Sequence, residues 1–377
     1  MINNRTAIPS HTQSTGDQAT IRNENITVAK GIGIILVVIS HSGLPLPLNQ
    51  FIFVFHVPLF FIVAGYCFKT AYCNAPLKFA RRRAKGLWWP FVKWNLIFIL
   101  LHNALYAMGI IDNAYDTHGH LTAIAETLLM IKPEPMLAGL WFLAGLFFAS
   151  LISWIVLWAT RCNIKKVSVW AAAMMICVIL LNLFLSDNRI VMRLSGFIHF
   201  AIYFLTGFVL KGIHDRYKST RRRLIATSIL CLILTGTASV YFPGAIFTLF
   251  TWQVPLRFVG SVAGVIGVLI LSSHIPHGRL RRFIVFCGES TILILVWHFL
   301  AFKLFTYILI NAYGLPHENL LETPIHMGLA RYYWVAYAAV GLLIPLGIQV
   351  AYNFLKNKFL HLGKKTNFVP WGSSWQS

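Results

Sequence analysis

Charge is scarce in this chain. Only 11% of its 377 residues are Asp, Glu, Lys or Arg, where a soluble domain carries roughly a quarter. With 57% hydrophobic residues, the apolar surface exceeds what a water-soluble core can bury, which excludes a soluble enzyme and points to a membrane protein. Acids are scarcest: eleven, against 32 Lys and Arg, for a net charge of +21. Of these, only Glu289 reads as lying near a span, which counts against transport coupled through carboxylates. The six cysteines contain no Cys-x-x-Cys pair and so imply neither a disulfide framework nor a zinc site. The first 25 residues are polar and lack the apolar core and cleavage site of a signal peptide, so the first span is expected to serve as its own insertion signal.

What the chain does have is long apolar runs. Ten stretches approach the ~20 residues that cross a bilayer: about 26–42, 49–68, 87–108, 138–160, 167–186, 195–211, 224–242, 252–273, 290–311 and 333–355. The expected fold is therefore all-α, a polytopic membrane protein of about ten transmembrane helices. Its parts are a disordered tail over 1–25, a transmembrane domain over 26–358 and a C-terminal tail over 359–377. The basic residues set the orientation, because Lys and Arg near span ends are retained in the cytoplasm. With both termini cytoplasmic, twenty-four of the 32 fall in inner segments, and seven of the eleven acids fall outside. Clusters such as Arg81–Arg83 and Arg221–Arg223 recur at every second loop. That is the pattern of topology and lipid contact, not of nucleic-acid binding. The long outer loop 109–137 holds Asp116-Thr-His118-Gly-His120, a spacing that reads as polar loop rather than metal site. Gly260, Gly264 and Gly267 have the small-residue spacing that lets helices approach closely.

Ionisable groups inside apolar segments are costly, so they mark cavities and function. The inner set is cationic: Lys30, Lys93 and the Arg82 and Lys85 region, suited to a polyanionic ligand with several phosphates. The deeper set is His41, His56, His102, His199, Arg257, His298 and Lys303, dominated by the side chain suited to proton abstraction near neutrality. Lys30 and His41 are eleven residues apart in one apolar run. On a helix that is about three turns and ~16 Å, on nearly one face. His56 follows after a short outer turn, and His298 has a matching depth in the ninth span. Pro58 frees a backbone carbonyl that must be covered by protein or a cavity.

These residues resemble the acyltransferase 3 family of integral membrane acyltransferases, which includes fucose 4-O-acetylase-like enzymes acting on bacterial surface glycans. The features that carry the resemblance are the Lys30 to His41 spacing, the run from Phe55-His56-Val57-Pro58-Leu59-Phe60-Phe61 to Gly65-Tyr66, Leu140-Trp141-Phe142-Leu143, and Gly288-Glu289-Ser290-Thr291 leading to His298. Where the family often has Arg-x-x-Arg, this chain has Arg82-Arg83-Ala84-Lys85.

The resemblance implies an O-acyltransferase in the bacterial inner membrane. It would use acetyl-CoA or another acyl-CoA as co-substrate, with no permanently bound cofactor and no metal, and a carbohydrate acceptor, either a glycan or a lipid-linked sugar. On this reading Lys30, Arg82, Lys85 and Lys93 hold the donor, His41, His56 and His298 supply the chemistry, and Arg257 contacts the acceptor or the oxyanion. The competing readings are a transporter or flippase, which would show broken half-helices in two repeats, and a catalytically inactive partner of a glycan assembly machine. Membrane lipid is the expected surround; the oligomeric state is open.

Overall fold

The computed structural model describes residues 15–214, 220–241, 253–322 and 324–365. The ordered elements among the described residues are all helical. In chain order they are α1 (Thr15–Ser40), α2 (Leu46–Tyr66), α3 (Pro76–Arg83), α4 (Trp89–Ala107), α5 (Thr117–Leu128), α6 (Trp141–Ala159) and α7 (Ile164–Phe184). Then follow α8 (Arg189–His214), α9 (Arg221–Tyr241), α10 (Gln253–His274), α11 (Arg279–Glu289), α12 (Thr291–Tyr313) and α13 (Met327–Lys365).

Eight of these are long and apolar enough to cross a bilayer, namely α2, α6, α7, α8, α9, α10, α12 and α13. The other two expected spans are helices of the same bundle but fall short on apolarity. The α1 helix carries Asp17, Arg22, Glu24 and Lys30, and α4 carries Lys93, Asn95, His102 and Asn103. Within the stretch expected to be a tail, α1 begins at Thr15. Arg281 donates from Nε to Glu24 at 2.7 Å and from Nη2 to Asn25 at 2.7 Å, tying this part of α1 to α11. Residues 1–14 lie outside the described residues, as do 366–377 of the expected C-terminal tail, whose first part is the end of α13.

α2 sits at the centre, packed against α1, α8, α9 and α10, while α7 and α9 lie at the periphery with most side chains outward. Close approach is bought with glycine. Gly31 of α1 faces the Ile284 backbone, and Gly288 of α11 faces the Thr27 backbone, with no room for a Cβ at either. The glycine spacing in α10 works as the sequence suggests: Gly260 lies on Ala238 of α9 and Gly264 on Phe55 of α2.

Basic loops gather at one end of the bundle. There Trp154 Nε1 donates to the Tyr72 carbonyl at 2.9 Å, and Lys211 Nζ to the Phe68 carbonyl at 3.2 Å. At this end the sulfurs of Cys73 and Cys162 meet. Their Cα atoms are 7.5 Å apart, outside the roughly 4.4–6.8 Å of relaxed bridges, so the pair is a local contact rather than a framework.

The 109–137 segment is more structured than the polar loop the sequence suggests. It contains α5, capped by Asp116, whose Oδ1 accepts from Gly119 N at 2.7 Å, with His120 Nδ1 donating to the Asp116 carbonyl at 2.9 Å. Asp116 and His120 are thus used at the start of that helix.

Candidate active site

Lys30, Ile34 and Val37 of α1 and His41, the residue directly after its last, Ser40, stand at i, i+4, i+7 and i+11, so His41 continues one helix face. Ile34, Val37 and His41 line a cavity of about 220 Å³, and Lys30 continues the same face one turn below it. The opposite wall is Phe53, His56, Val57, Pro58 and Phe60 of α2, closed by Gly139, Trp141 and Phe142 at the start of α6 and by Thr291 and Leu295 of α12. A walled apolar space holding two imidazoles therefore runs along α1 from two turns below His41 up to His41 itself.

The histidines differ in what they touch. His56 is buried, and its Nδ1–H donates to the Ile52 carbonyl at 2.8 Å, with the Phe53 ring edge-on at 5.1 Å. His298 is buried on α12, its Nδ1–H donating to the Ile294 carbonyl at 3.0 Å. Because a carbonyl can only accept, both rings are held with hydrogen on Nδ1 and a lone pair on Nε2. The rings of His298 and His41 are 5.7 Å apart, with Phe299 edge-on to His41 at 5.3 Å. His298 Nε2 and His41 Nδ1 are buried atoms with no hydrogen-bond partner among the described residues. His298 is not among the cavity-lining residues; it stands behind the wall, against Gly139.

The Pro58 gap is filled. With no N–H at Pro58, the Val54 carbonyl lacks its helical donor, and Ser261 Oγ of α10 supplies one at 2.6 Å. Tyr203 of α8 donates in turn to Ser261 Oγ at 3.2 Å, and His199 stacks on Tyr203 at 5.2 Å. Arg257 is buried beside this network, with Nη2 donating to the Phe53 carbonyl at 3.1 Å. It braces α2 from behind and is not among the residues that line this cavity.

The cations of the basic end are less convergent. Lys30 is half-buried, while Arg82, Lys85 and Lys93 are exposed, the last with its ammonium 4.6 Å from the Trp94 ring centre. Trp94 packs on Trp297 of α12 at 5.7 Å, so Lys93 flanks the helix pair beside the cavity. The inward member of the basic run is Arg83, which sequence reasoning passed over. Its guanidinium lies over Phe79 at 5.0 Å and Phe204 at 5.6 Å. The apolar flank of α3, with Phe79 buried, was the signal available.

A second histidine site was unforeseen. Glu134, read from the sequence as an outer acid, is buried and paired with His102 Nδ1 of α4. His102 Nε2 donates to the Asn113 carbonyl at 3.1 Å, the Glu134 N–H donates to Asn95 Oδ1 at 2.6 Å, and Tyr115 stacks on His102 at 3.4 Å. Tyr115 also donates to Glu134 Oε2 at 3.2 Å, and burial, followed by that carboxylate, raises its pKa. Of the two acids, Glu289 is exposed and Glu134 is buried. Proline on both sides of Glu134 turns the chain back into the bundle.

A family model described as an acyltransferase domain, of the third acyltransferase type, matches residues 23–350. Among curated proteins and solved structures, none matches the chain.

Proposed function

The chain belongs to the acyltransferase 3 family and is a multi-pass membrane acyltransferase, and from that premise we propose that it moves an acyl group, acetyl in the first instance, from acyl-CoA to a hydroxyl of a surface glycan or its lipid-linked precursor. On this reading the basic end faces the cytoplasm of a bacterial inner membrane, and both termini lie on that side. The observation that supports it is the single face of α1, with Lys30 at the basic end and Ile34, Val37 and His41 along the cavity.

Lys30 holds CoA phosphate by a charge-assisted hydrogen bond, with Arg82, Lys85 and Lys93 as outer cations. The pantetheine arm lies along Ile34 and Val37. A spacing of about 16 Å along the helix brings the thioester to His41. There His41 takes the proton from the acceptor hydroxyl, and the oxygen attacks the thioester carbonyl. The carbon–sulfur bond then breaks, and the CoA thiolate recovers a proton from the imidazolium. His56 lies across the same cavity and can accept a hydrogen bond or a proton only through Nε2, because Nδ1–H is committed to the Ile52 carbonyl. His298 positions His41 from behind.

The buried His102–Glu134 pair is the feature a transporter reading would seize on, but it sits in one place, with no counterpart pair among the described residues, and both imidazole nitrogens are occupied. Mass spectrometry of surface polysaccharide from cells with and without the gene tests the proposal. Loss of one acyl mass per modified sugar is the expected result, and identical spectra would refute it. Release of CoA from acetyl-CoA by purified protein only when glycan is present separates catalysis from a role as an inactive partner.

A further inference from the structure

We propose that a second cavity, between α6, α7 and α8, is the acceptor site and receives a sugar ring of the glycan. The proposal rests on the acyl-transfer reading above and names the surface that would select its acceptor. The cavity is about 360 Å³ and lies between α6, α7 and α8, with residues 130–133 at its rim.

Three observations support a carbohydrate occupant. Trp141 lines this cavity and also the histidine-bearing one, so an occupant here is one indole away from the chamber of His41 and His56. The walls combine aromatic faces with planar polar groups: Trp141 and Phe197 beside Asn182, Arg193 and His199. A pyranose presents an apolar C–H face and a rim of hydroxyls, and an apolar pocket with a few fixed polar groups is the matching surface. The third observation is His199. It is 6% exposed, and its Nε2 is a buried atom with no hydrogen-bond partner among the described residues. Leaving a buried nitrogen unpaired is destabilising, and a ligand hydroxyl would satisfy it.

The neighbouring polar groups are already oriented. Ser195 Oγ donates to Asn182 Oδ1 at 2.9 Å, leaving the Asn182 amide N–H groups for a ligand. The Arg193 guanidinium is anchored to the carbonyls of Met130 and Ile131, which fixes the rim and argues against a phosphate site. A lipid chain would make no use of Asn182, Ser195 or His199.

The test uses membranes from a strain lacking the gene that express the full chain, with radiolabelled acetyl-CoA as probe and label in endogenous glycan as readout. His199→Phe keeps the ring stacked on Tyr203 but removes the nitrogens. Asn182→Leu alters the last turn of α7, on the periphery of the bundle, and guards against a folding effect confined to one position. Each substitution is expected to lower glycan labelling at saturating acetyl-CoA by about tenfold, with the KM for acetyl-CoA unchanged. Wild-type labelling in either variant, or a raised KM for acetyl-CoA, overturns the acceptor assignment while the transfer reading stands. Absence of label in glycan with the unsubstituted chain overturns the transfer reading itself.

Discussion

His298 and His102 are both fully buried, each on a helix and each holding a hydrogen bond through Nδ1. They differ at the other nitrogen. His102 Nε2 is bonded to the Asn113 carbonyl, its ring is covered by Tyr115, and its partner Glu134 is itself held by Asn95. Every polar atom there is used, and the result is a clasp that fastens the 109–137 segment to α4. His298 Nε2 has no partner among the described residues and its ring faces His41, which borders a cavity. An imidazole satisfied on both sides has nothing left to offer a substrate. One left with a buried lone pair carries a desolvation cost that chemistry can justify. Depth in the membrane does not separate the two; hydrogen-bond accounting does.

Four substitutions test that distinction. His41→Ala is expected to have the largest effect, a fall of about 10³-fold in acyl transfer, within the range general-base catalysis supplies. The measurement is label transfer from acetyl-CoA in membranes with matched protein levels, and near-normal transfer would remove His41 from the mechanism. Glu134→Ala is expected to do the opposite: thermal unfolding in detergent should show a loss of roughly 3 kcal/mol, the scale for breaking a buried pair, with turnover per folded molecule retained. Lost turnover at unchanged stability would show that the clasp is a second reactive centre.

His298→Asn should lower turnover by about tenfold, or ~1.4 kcal/mol in barrier, and displace the pH–rate profile, since it acts on His41 without lining the cavity. An unchanged profile would make His298 a packing residue. The smallest effect is expected for Ser261→Ala, which strips the Val54 carbonyl of its donor at a cost of about 1 kcal/mol. It should be visible as a lowered midpoint of thermal unfolding with acyl-CoA affinity unchanged.

Much of this was legible in the chain. The apolar runs and their basic punctuation specify a helical membrane protein, and the Lys30 to His41 spacing specifies a helix face because 3.6-residue periodicity is local. Pro58 announced an orphan carbonyl, but not that Ser261, more than two hundred residues away, would meet it. The Arg82 to Lys85 run announced positive charge, yet only packing against Phe79 and Phe204 shows that Arg83 is the side chain turned inward. The burial of Glu134 was not legible, because the surroundings of a loop residue depend on what the loop folds back upon.

The sequence by itself determined class, span order and the face shared by Lys30 and His41, since each follows from hydrophobicity and short-range periodicity along one segment. Only the tertiary structure decided that His298 stands behind His41, that His102 is spent on Glu134, that Arg257 braces α2, and that Trp141 divides two cavities. Those are relations between helices far apart in the chain. They are set by which faces pack, through glycine contacts and cross-helix hydrogen bonds that no single segment encodes.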